Sequence, residues 1–354
     1  MLRKRWWSRG GIAGGRASAP PLSLALQGGG AHGAYTWGVL DRLLEENRPL
    51  DGISGTSAGA MNAVALAQGW TVGGPEGARE SLSAFWEAVA DSTPFELDLL
   101  QSLYPNGDGA LPGPVSMMLG LTKLFSPDQL NPFKLNPLGD VVRAQFDFER
   151  IRRDCRLKIF VAATRVQSGK VRLFRTDELS EEALLASACL PTVHHTVEID
   201  GEAYWDRGFT ANPAIYPLMY ECETPDILMV LLNPLSIPEA PHSADDIATR
   251  STELGFSTTF LREMRMIAYA RSYIEAGAGW MPLGRFERKL MGLRFHVIEA
   301  KELATAGRGS KLNATRAFLH ELRDLGRARA DRWVRSHGGD IGKRSTVDLA
   351  ELFG

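Results

Sequence analysis

The stretch Leu50–Gly59 reads Leu-Asp-Gly-Ile-Ser-Gly-Thr-Ser-Ala-Gly, a short apolar run that ends in a glycine turn. Residues 60–68 follow it and are small and helix-favouring, so the pattern is strand, turn, helix. Gly55 and Gly59 flank Ser57 in a G-x-S-x-G pentapeptide. In this context the flanking glycines let the backbone bend sharply, and the small neighbours leave room for a substrate. The stretch therefore predicts an α/β fold and a nucleophilic serine at position 57.

A second strand-turn-helix unit precedes residues 50–68. Residues 22–27 read as a short apolar strand, Gly28-Gly29-Gly30-Ala31-His32-Gly33 follows, and residues 32–46 carry apolar side chains at helical spacing. Consecutive glycines expose backbone N–H groups, and such donors can bind the oxyanion formed when a serine attacks a carbonyl. We therefore expect Gly28, Gly29 and Gly30 to form an oxyanion hole.

The same glycines also satisfy G-x-G-x-x-G, a dinucleotide-binding pattern. That function requires a second strand ending in an acid that binds ribose, whereas this second strand ends in Gly-Thr-Ser and Asp51 lies before its core. The chain contains no G-K-[ST] phosphate loop. The pattern therefore favours a nucleophile site over a nucleotide-binding site.

A serine nucleophile needs a base. None of the seven histidines stands in a convincing triad motif, although the pair His194-His195 is a candidate for lining the cleft. Asp206 ends the short apolar run 203–205, and a partly desolvated aspartate can accept a serine proton directly. The sequence therefore predicts Asp206 as the base.

The remaining patterns predict a sheet with crossover helices. Further strands are expected over 157–165, 170–175, 197–199, 203–205, 227–232 and 294–298, and helices over 181–189, 258–278 and 311–336. Residues 92–140 are irregular, with seven prolines and scattered apolar side chains. Two interpretations remain open for this segment, namely a surface excursion or an apolar flap over a lipid-binding cleft.

Composition excludes several other classes. The 40 basic and 42 acidic residues nearly cancel, so no nucleic-acid partner is expected. Three widely spaced cysteines indicate reduced thiols in a cytoplasmic protein, and no run is apolar enough for a transmembrane helix. Residues 1–21 carry five basic side chains and no acid, which predicts a disordered basic arm or an arm that touches anionic lipid.

The motifs resemble those of the patatin-like phospholipase family. Residues 28–33 are similar to its glycine-rich motif, residues 55–59 to its nucleophile elbow, and residues 186–191 to its Ala-Ser-x-Ala-x-Pro segment. Asp206 stands where the family has its dyad aspartate, and Asn212-Pro213 follows as in many bacterial members. The resemblance implies a three-layer α/β/α sandwich around a mostly parallel sheet. It also implies a Ser57–Asp206 dyad, no metal or cofactor, and hydrolysis of fatty-acyl esters of lipids, with peripheral membrane contact left open.

The expected organisation is a basic arm (1–21), a catalytic domain (22–235) with the flap-like insertion 92–140, and a helical extension (236–354) that completes the same domain.

The family's Asp-Gly-Gly/Ala motif reads Asp206-Arg207-Gly208 in this sequence. Arg207 either weakens the base by lowering the pKa of its carboxyl, or points outward toward a phospholipid phosphate. Two alternatives therefore stand beside hydrolysis: an acyltransferase with the same nucleophile, and a lipid-binding homologue with weakened catalysis.

Overall fold

The computed structural model describes residues 19–92, 131, 136–191, 194–206, 210–237, 239–277, 282–306 and 310–354. The predicted basic arm up to residue 18, most of the predicted flap and the Arg207 side chain lie outside these residues.

Within the described residues, eight strands form one mixed sheet. They are β1 (Leu22–Leu26), β2 (Leu50–Gly55), β3 (Lys158–Arg165), β4 (Val171–Arg175), β5 (Val197–Ile199), β6 (Glu202–Asp206), β7 (Asp226–Leu231) and β8 (Arg294–Glu299). The order is β5-β6-β3-β2-β1-β7-β8, with β4 paired to β3. The run β3-β2-β1-β7-β8 is parallel, while β4, β6 and β5 join antiparallel. Strands β1 and β7 at the centre of the sheet are buried along their whole length, as expected for a sheet covered on both faces.

Ten α-helices surround the sheet in the described part of the chain. They are α1 (Gly33–Leu44), α2 (Ala58–Asp91), α3 (Pro137–Gln145), α4 (Phe148–Asp154), α5 (Glu181–Ser187), α6 (Tyr216–Glu221), α7 (Ala244–Gly277), α8 (Arg285–Gly292), α9 (Arg316–His337) and α10 (Leu349–Phe353). Buried side chains of α1, α2, α5 and α9 form one core on the first face, and those of α6, α7, α8 and α10 form a second core on the other. The arrangement is the expected three-layer α/β/α sandwich.

The order in which the chain adds parallel strands changes direction between β1 and β7: β2 and β3 lie on one side of β1, and β7 and β8 lie on the other. After β1 the chain passes through α1 on the first face to reach β2, whereas after β7 it passes through α7 on the second face to reach β8. The carboxyl ends of β1 and β7 therefore mark a topological switch point, the part of an open α/β sheet where ligands usually bind.

Two helical segments differ from the sequence expectation. The irregular segment predicted to end at residue 140 ends earlier, because the Asn136 side chain accepts the Gly139 N–H and Pro137 occupies the first turn of α3. Helix α2 continues to Asp91 beyond a break at Gly73 and Gly74, whose backbone angles are not helical. Pro75 restarts the helix there, since proline is well suited to a first turn.

Among the residues that the structure describes, no helix combines the length and hydropathy needed to cross a bilayer.

Candidate active site

Ser57 occupies a strained turn between β2 and α2. Its backbone angles are φ 52° and ψ −124°, a conformation that non-glycine residues adopt rarely and at a cost of about 1–3 kcal/mol. Its carbonyl accepts the N–H groups of Ala60 (2.9 Å) and Met61 (3.0 Å), and its own N–H donates to Ser187 Oγ (2.9 Å). Hydrogen bonds on both sides of the residue hold the turn, so this serine has the local geometry of a nucleophile elbow.

The glycine-rich loop lies directly against Ser57. A Cβ added at Gly28 would lie 2.8 Å from Ser57 Cβ, which is closer than real side chains approach. The Gly28 N–H donates to Asn212 Oδ1 at 2.6 Å, so this amide already has an acceptor. Of the three glycines predicted as oxyanion donors, Gly29 and Gly30 are therefore the better candidates, because the Gly28 amide is already bonded.

One further amide was absent from the sequence prediction. Ala58 is the first residue of α2, and the first N–H groups of a helix have no intrahelical acceptor. The residue after the nucleophile supplies an oxyanion donor in strand-turn-helix elbows. The G-x-S-x-G pentapeptide could have indicated the Ala58 amide as a donor, and the structure places this amide at the start of α2.

Asp206 ends β6 and is 3% exposed. Strand β3 separates it from the elbow, because Gly55 pairs with Val161 and Asp206 pairs with Ala163, two residues further along β3. The backbones of β2 and β6 therefore lie about 10 Å apart, two inter-strand spacings. The chain leaves β2 at Gly55, two residues before the position on β3 that pairs with Asp206.

Segment 187–189 joins the two predicted dyad residues. Ser187 Oγ accepts the Ser57 N–H, and the Cys189 carbonyl accepts the Asp206 N–H at 2.8 Å. Burial and, to a lesser degree, the Asp206 charge raise the pKa of Cys189 to about 11, so this thiol is protonated at neutral pH. The Ala-Ser-x-Ala-x-Pro segment thus contacts the serine at one end and the aspartate at the other.

The loop after Asp206 is bonded to both glycine turns. The Thr56 hydroxyl donates to the Ala211 carbonyl (3.0 Å), and Gln27 Nε2 donates to the Asn212 carbonyl (3.2 Å). With the Asn212 bond to Gly28, three buried hydrogen bonds connect residues 211–212 to the elbow and the glycine loop. Asn212 and Gln27 are therefore structural members of the site that the motifs alone did not identify.

The His194-His195 pair lines a cavity of about 70 Å³ beside Cys189, together with Asn131, Leu185 and Val197. His194 Nδ1 accepts the Leu190 N–H at 3.2 Å, and burial lowers the pKa of His194. The pair therefore lies on the Asp206 side of the site, where its ring nitrogens contact the backbone.

His32, in the glycine loop, is buried, and its Nε2 lies 2.8 Å from Ser310 Oγ. Burial, reinforced by the charge of Lys311, lowers the pKa of His32 to about 3. This imidazole is neutral at physiological pH and packs as part of the loop.

The family model for patatin-like phospholipase matches residues 24–219, more than half of the chain. The chain therefore belongs to the patatin-like phospholipase family. The match begins in β1, includes both glycine turns and Asp206, and ends in α6.

Two solved structures are similar over most of the chain. VipD from Legionella pneumophila is 18% identical, covering 91% of this chain and 67% of its own, with a TM-score of 0.39. The ExoU–SpcU complex from the type III secretion system of Pseudomonas aeruginosa matches with 16% identity. The match covers 95% of this chain and 75% of the other chain, with a TM-score of 0.30. No curated protein matches the sequence significantly.

Proposed function

We propose that this protein hydrolyses fatty-acyl esters of lipids through a Ser57–Asp206 dyad and an acyl-enzyme intermediate. The observation that carries the proposal is the strained backbone of Ser57 at the elbow, with the glycine loop against its side chain. The family supports a lipid substrate. The network through Ser187, Cys189 and Asn212 supports Asp206 as the partner of Ser57.

In the first half-reaction Asp206 accepts the hydroxyl proton as Ser57 Oγ bonds to the ester carbonyl carbon. The carbonyl oxygen becomes an oxyanion, which the Gly29, Gly30 and Ala58 N–H groups stabilise. The ester C–O bond then breaks, and the leaving alcohol or lysolipid takes the proton from Asp206. In the second half-reaction Asp206 deprotonates a water that attacks the acyl-serine, and the proton returns to Ser57 as the fatty acid leaves.

Labelling with a fluorophosphonate probe tests the nucleophile, because only an activated serine reacts with it. We expect labelling of the full chain, none of Ser57→Ala, and labelling of the matched control Ser168→Ala, whose serine lies in the β3–β4 hairpin. Asp206→Asn should slow labelling about 10²-fold or more, since the general base is removed. Unchanged labelling of Ser57→Ala would contradict the proposal.

Product analysis with phospholipids and lysophospholipids distinguishes hydrolysis from acyl transfer. Release of free fatty acid supports the proposed hydrolase. Acyl chains recovered only as new esters or thioesters would instead identify a transferase, and binding of the full chain to lipid vesicles tests peripheral membrane contact.

A further inference from the structure

A cavity of about 320 Å³ lies on the second face of the sheet, between α6 and α8. Three of its lining residues, Met219, Leu290 and Leu293, are buried, whereas Tyr220 and Phe286 are 60% and 49% exposed. The two exposed rings are nearly parallel, with 17° between their planes and 6.2 Å between their centroids. The lining is therefore mainly apolar and open to solvent. The volume lies at the lower end of the range of about 300–1,000 Å³ that is usual for small-molecule sites.

Two cationic side chains, Arg285 and Lys289, complete the lining of this cavity. They are four residues apart in α8 and therefore lie on the same side of the helix. Lys289 Nζ donates to the Tyr220 and Cys222 carbonyls at 3.2 and 3.3 Å, which leaves its third N–H for another acceptor. Arg285 is exposed and forms no hydrogen bond or ion pair within the described part of the chain.

The acidic residues nearest to these two cations in the sequence have other partners. Both carboxylate oxygens of Glu221 accept hydrogen bonds from Arg175, at 3.0 and 2.8 Å. The Glu287 carboxylate packs on Gly284 at the start of α8, where an added Cβ would overlap Glu287 Oε2. Among the described residues, no carboxylate forms an ion pair with Arg285 or with Lys289. The cavity thus combines apolar walls with uncompensated positive charge, which suits an anionic group on an apolar body.

This cavity is separate from the candidate active site. Leu293 directly precedes β8, and the Cys222 sulfur packs against Gly52 near the start of β2. Ser57 instead lies beyond the end of β2. Because β2 and β8 belong to the same parallel run, the cavity lies toward the amino-terminal edge of the sheet and Ser57 toward the carboxyl-terminal edge. A ligand in the cavity would leave the position of the reacting ester free.

We propose that this cavity binds one free fatty acid, with its carboxylate at Arg285 and Lys289 and its alkyl chain against Tyr220 and Phe286. A guanidinium group pairs with a carboxylate through two parallel hydrogen bonds, and the flexible Met219 side chain adapts to an alkyl chain. The cavity has the size for one small molecule, whereas a stable protein partner buries about 800 Å² on each side. The hydrolysis proposed above releases acids of this class, so the source of the ligand rests on the proposed function, while the cavity and its charge do not.

Calorimetric titration of the full chain carrying Ser57→Ala, the parent here, measures binding without turnover. The probes are decanoate and decan-1-ol, which share a chain length and differ in charge, both below the concentrations at which they aggregate. We expect the parent to bind decanoate more tightly. Arg285→Met should raise the Kd of decanoate about tenfold and leave that of decan-1-ol nearly unchanged, because a charge-assisted hydrogen bond is lost. Arg285→Lys should keep most of the affinity for decanoate, and Tyr220→Ala should weaken the binding of both probes.

Arg150→Met is the matched control, because Arg150 is an exposed arginine of α4, on the first face of the sheet. Its Kd for decanoate should equal that of the parent. Equal Kd values for decanoate in the parent and in Arg285→Met, or no binding by the parent, would overturn the inference. Binding that occurs only when decanoate is part of phosphatidylcholine vesicles would also overturn it, by assigning the surface to a membrane. Fluorophosphonate labelling of Ser57 is measured separately, so a chain that is labelled but does not bind decanoate loses this inference alone.

Discussion

At the scale of single residues, Asn212 connects the parts of the site that the two motifs describe separately. Its side-chain oxygen accepts the Gly28 N–H, and its main-chain carbonyl accepts the Gln27 side chain. The glycine loop therefore takes its position relative to Ser57 from a residue six positions after Asp206. A shift of this loop moves the proposed oxyanion donors, and small displacements of such groups lower rates strongly.

Asn212→Ala should consequently lower kcat for p-nitrophenyl butyrate about 10- to 100-fold, with a smaller change in KM. Asn212→Asp keeps an acceptor for the Gly28 N–H but places a negative charge beside the forming oxyanion, so we expect it to fail to rescue kcat. Steady-state kinetics together with thermal melts separate positioning from unfolding. A folded Asn212→Ala variant with parental kcat would refute this role.

At the scale of elements, helices α1 and α9 approach each other through two glycines. A Cβ at Gly38 of α1 would overlap the Arg323 carbonyl oxygen of α9, and a Cβ at Gly326 of α9 would overlap the Tyr35 carbonyl oxygen of α1. The contact anchors α1, which follows the glycine loop directly. At the edge of this helix contact, Arg327 of α9 forms ion pairs with Asp41 of α1 and with Glu45, the residue that follows α1.

Gly326→Ala should lower the free energy of unfolding by about 1–3 kcal/mol, because the added methyl group forces the helices apart. The matched control is Gly255→Ala in α7, where the added Cβ meets no atom within 4 Å. It should instead raise the free energy of unfolding by about 0.5–1 kcal/mol, as expected when alanine replaces glycine inside a helix. Urea denaturation measures both values, and equal effects of the two substitutions would contradict close packing at Gly326.

At the scale of the whole molecule, two buried groups link stability to pH. The pKa of His32 falls to about 3 on folding, so the unfolded chain binds a proton between about pH 6.5 and pH 3 that the folded chain does not. Burial alone would raise the pKa of Asp226, but hydrogen bonds from His296, Arg294 and the Gly342 amide lower it well below its usual range. The ionised Asp226 carboxylate therefore stabilises the fold at pH values above its unfolded pKa of about 4, and this stabilisation is lost as the pH falls further.

The free energy of unfolding should therefore decrease as the pH is lowered from 7 to 4, by at most about 1.4 kcal/mol per pH unit from His32. Urea denaturation at each pH measures the slope. His32→Gln removes the titrating group and should flatten the slope in this range, whereas His242→Gln, which alters an exposed histidine, should leave it unchanged. Equal slopes in the parent and in His32→Gln would show that His32 is protonated in the folded state.

Local sequence rules predicted a large part of the fold. The strands of the parallel core, the glycine turns after β1 and β2, and the hairpin β5–β6 follow from apolar runs and turn residues that are neighbours in the chain. Short helices such as α6 and α8 were not predicted, because their apolar side chains reflect contact with the second core rather than a regular local period. Helix α7 begins 14 residues before the predicted start at residue 258, in a polar stretch with little periodicity.

The sequence by itself determined where a strained serine turn and a glycine loop occur, because both depend on backbone freedom and on residues a few positions apart. Tertiary structure alone decided which groups surround them. The Gly28 amide meets Asn212 across 184 positions, and Lys311 reaches the same loop from the far end of the chain, because the order and register of the strands bring them together. Such pairings arise from packing two helical layers on one sheet, and no local pattern encodes them.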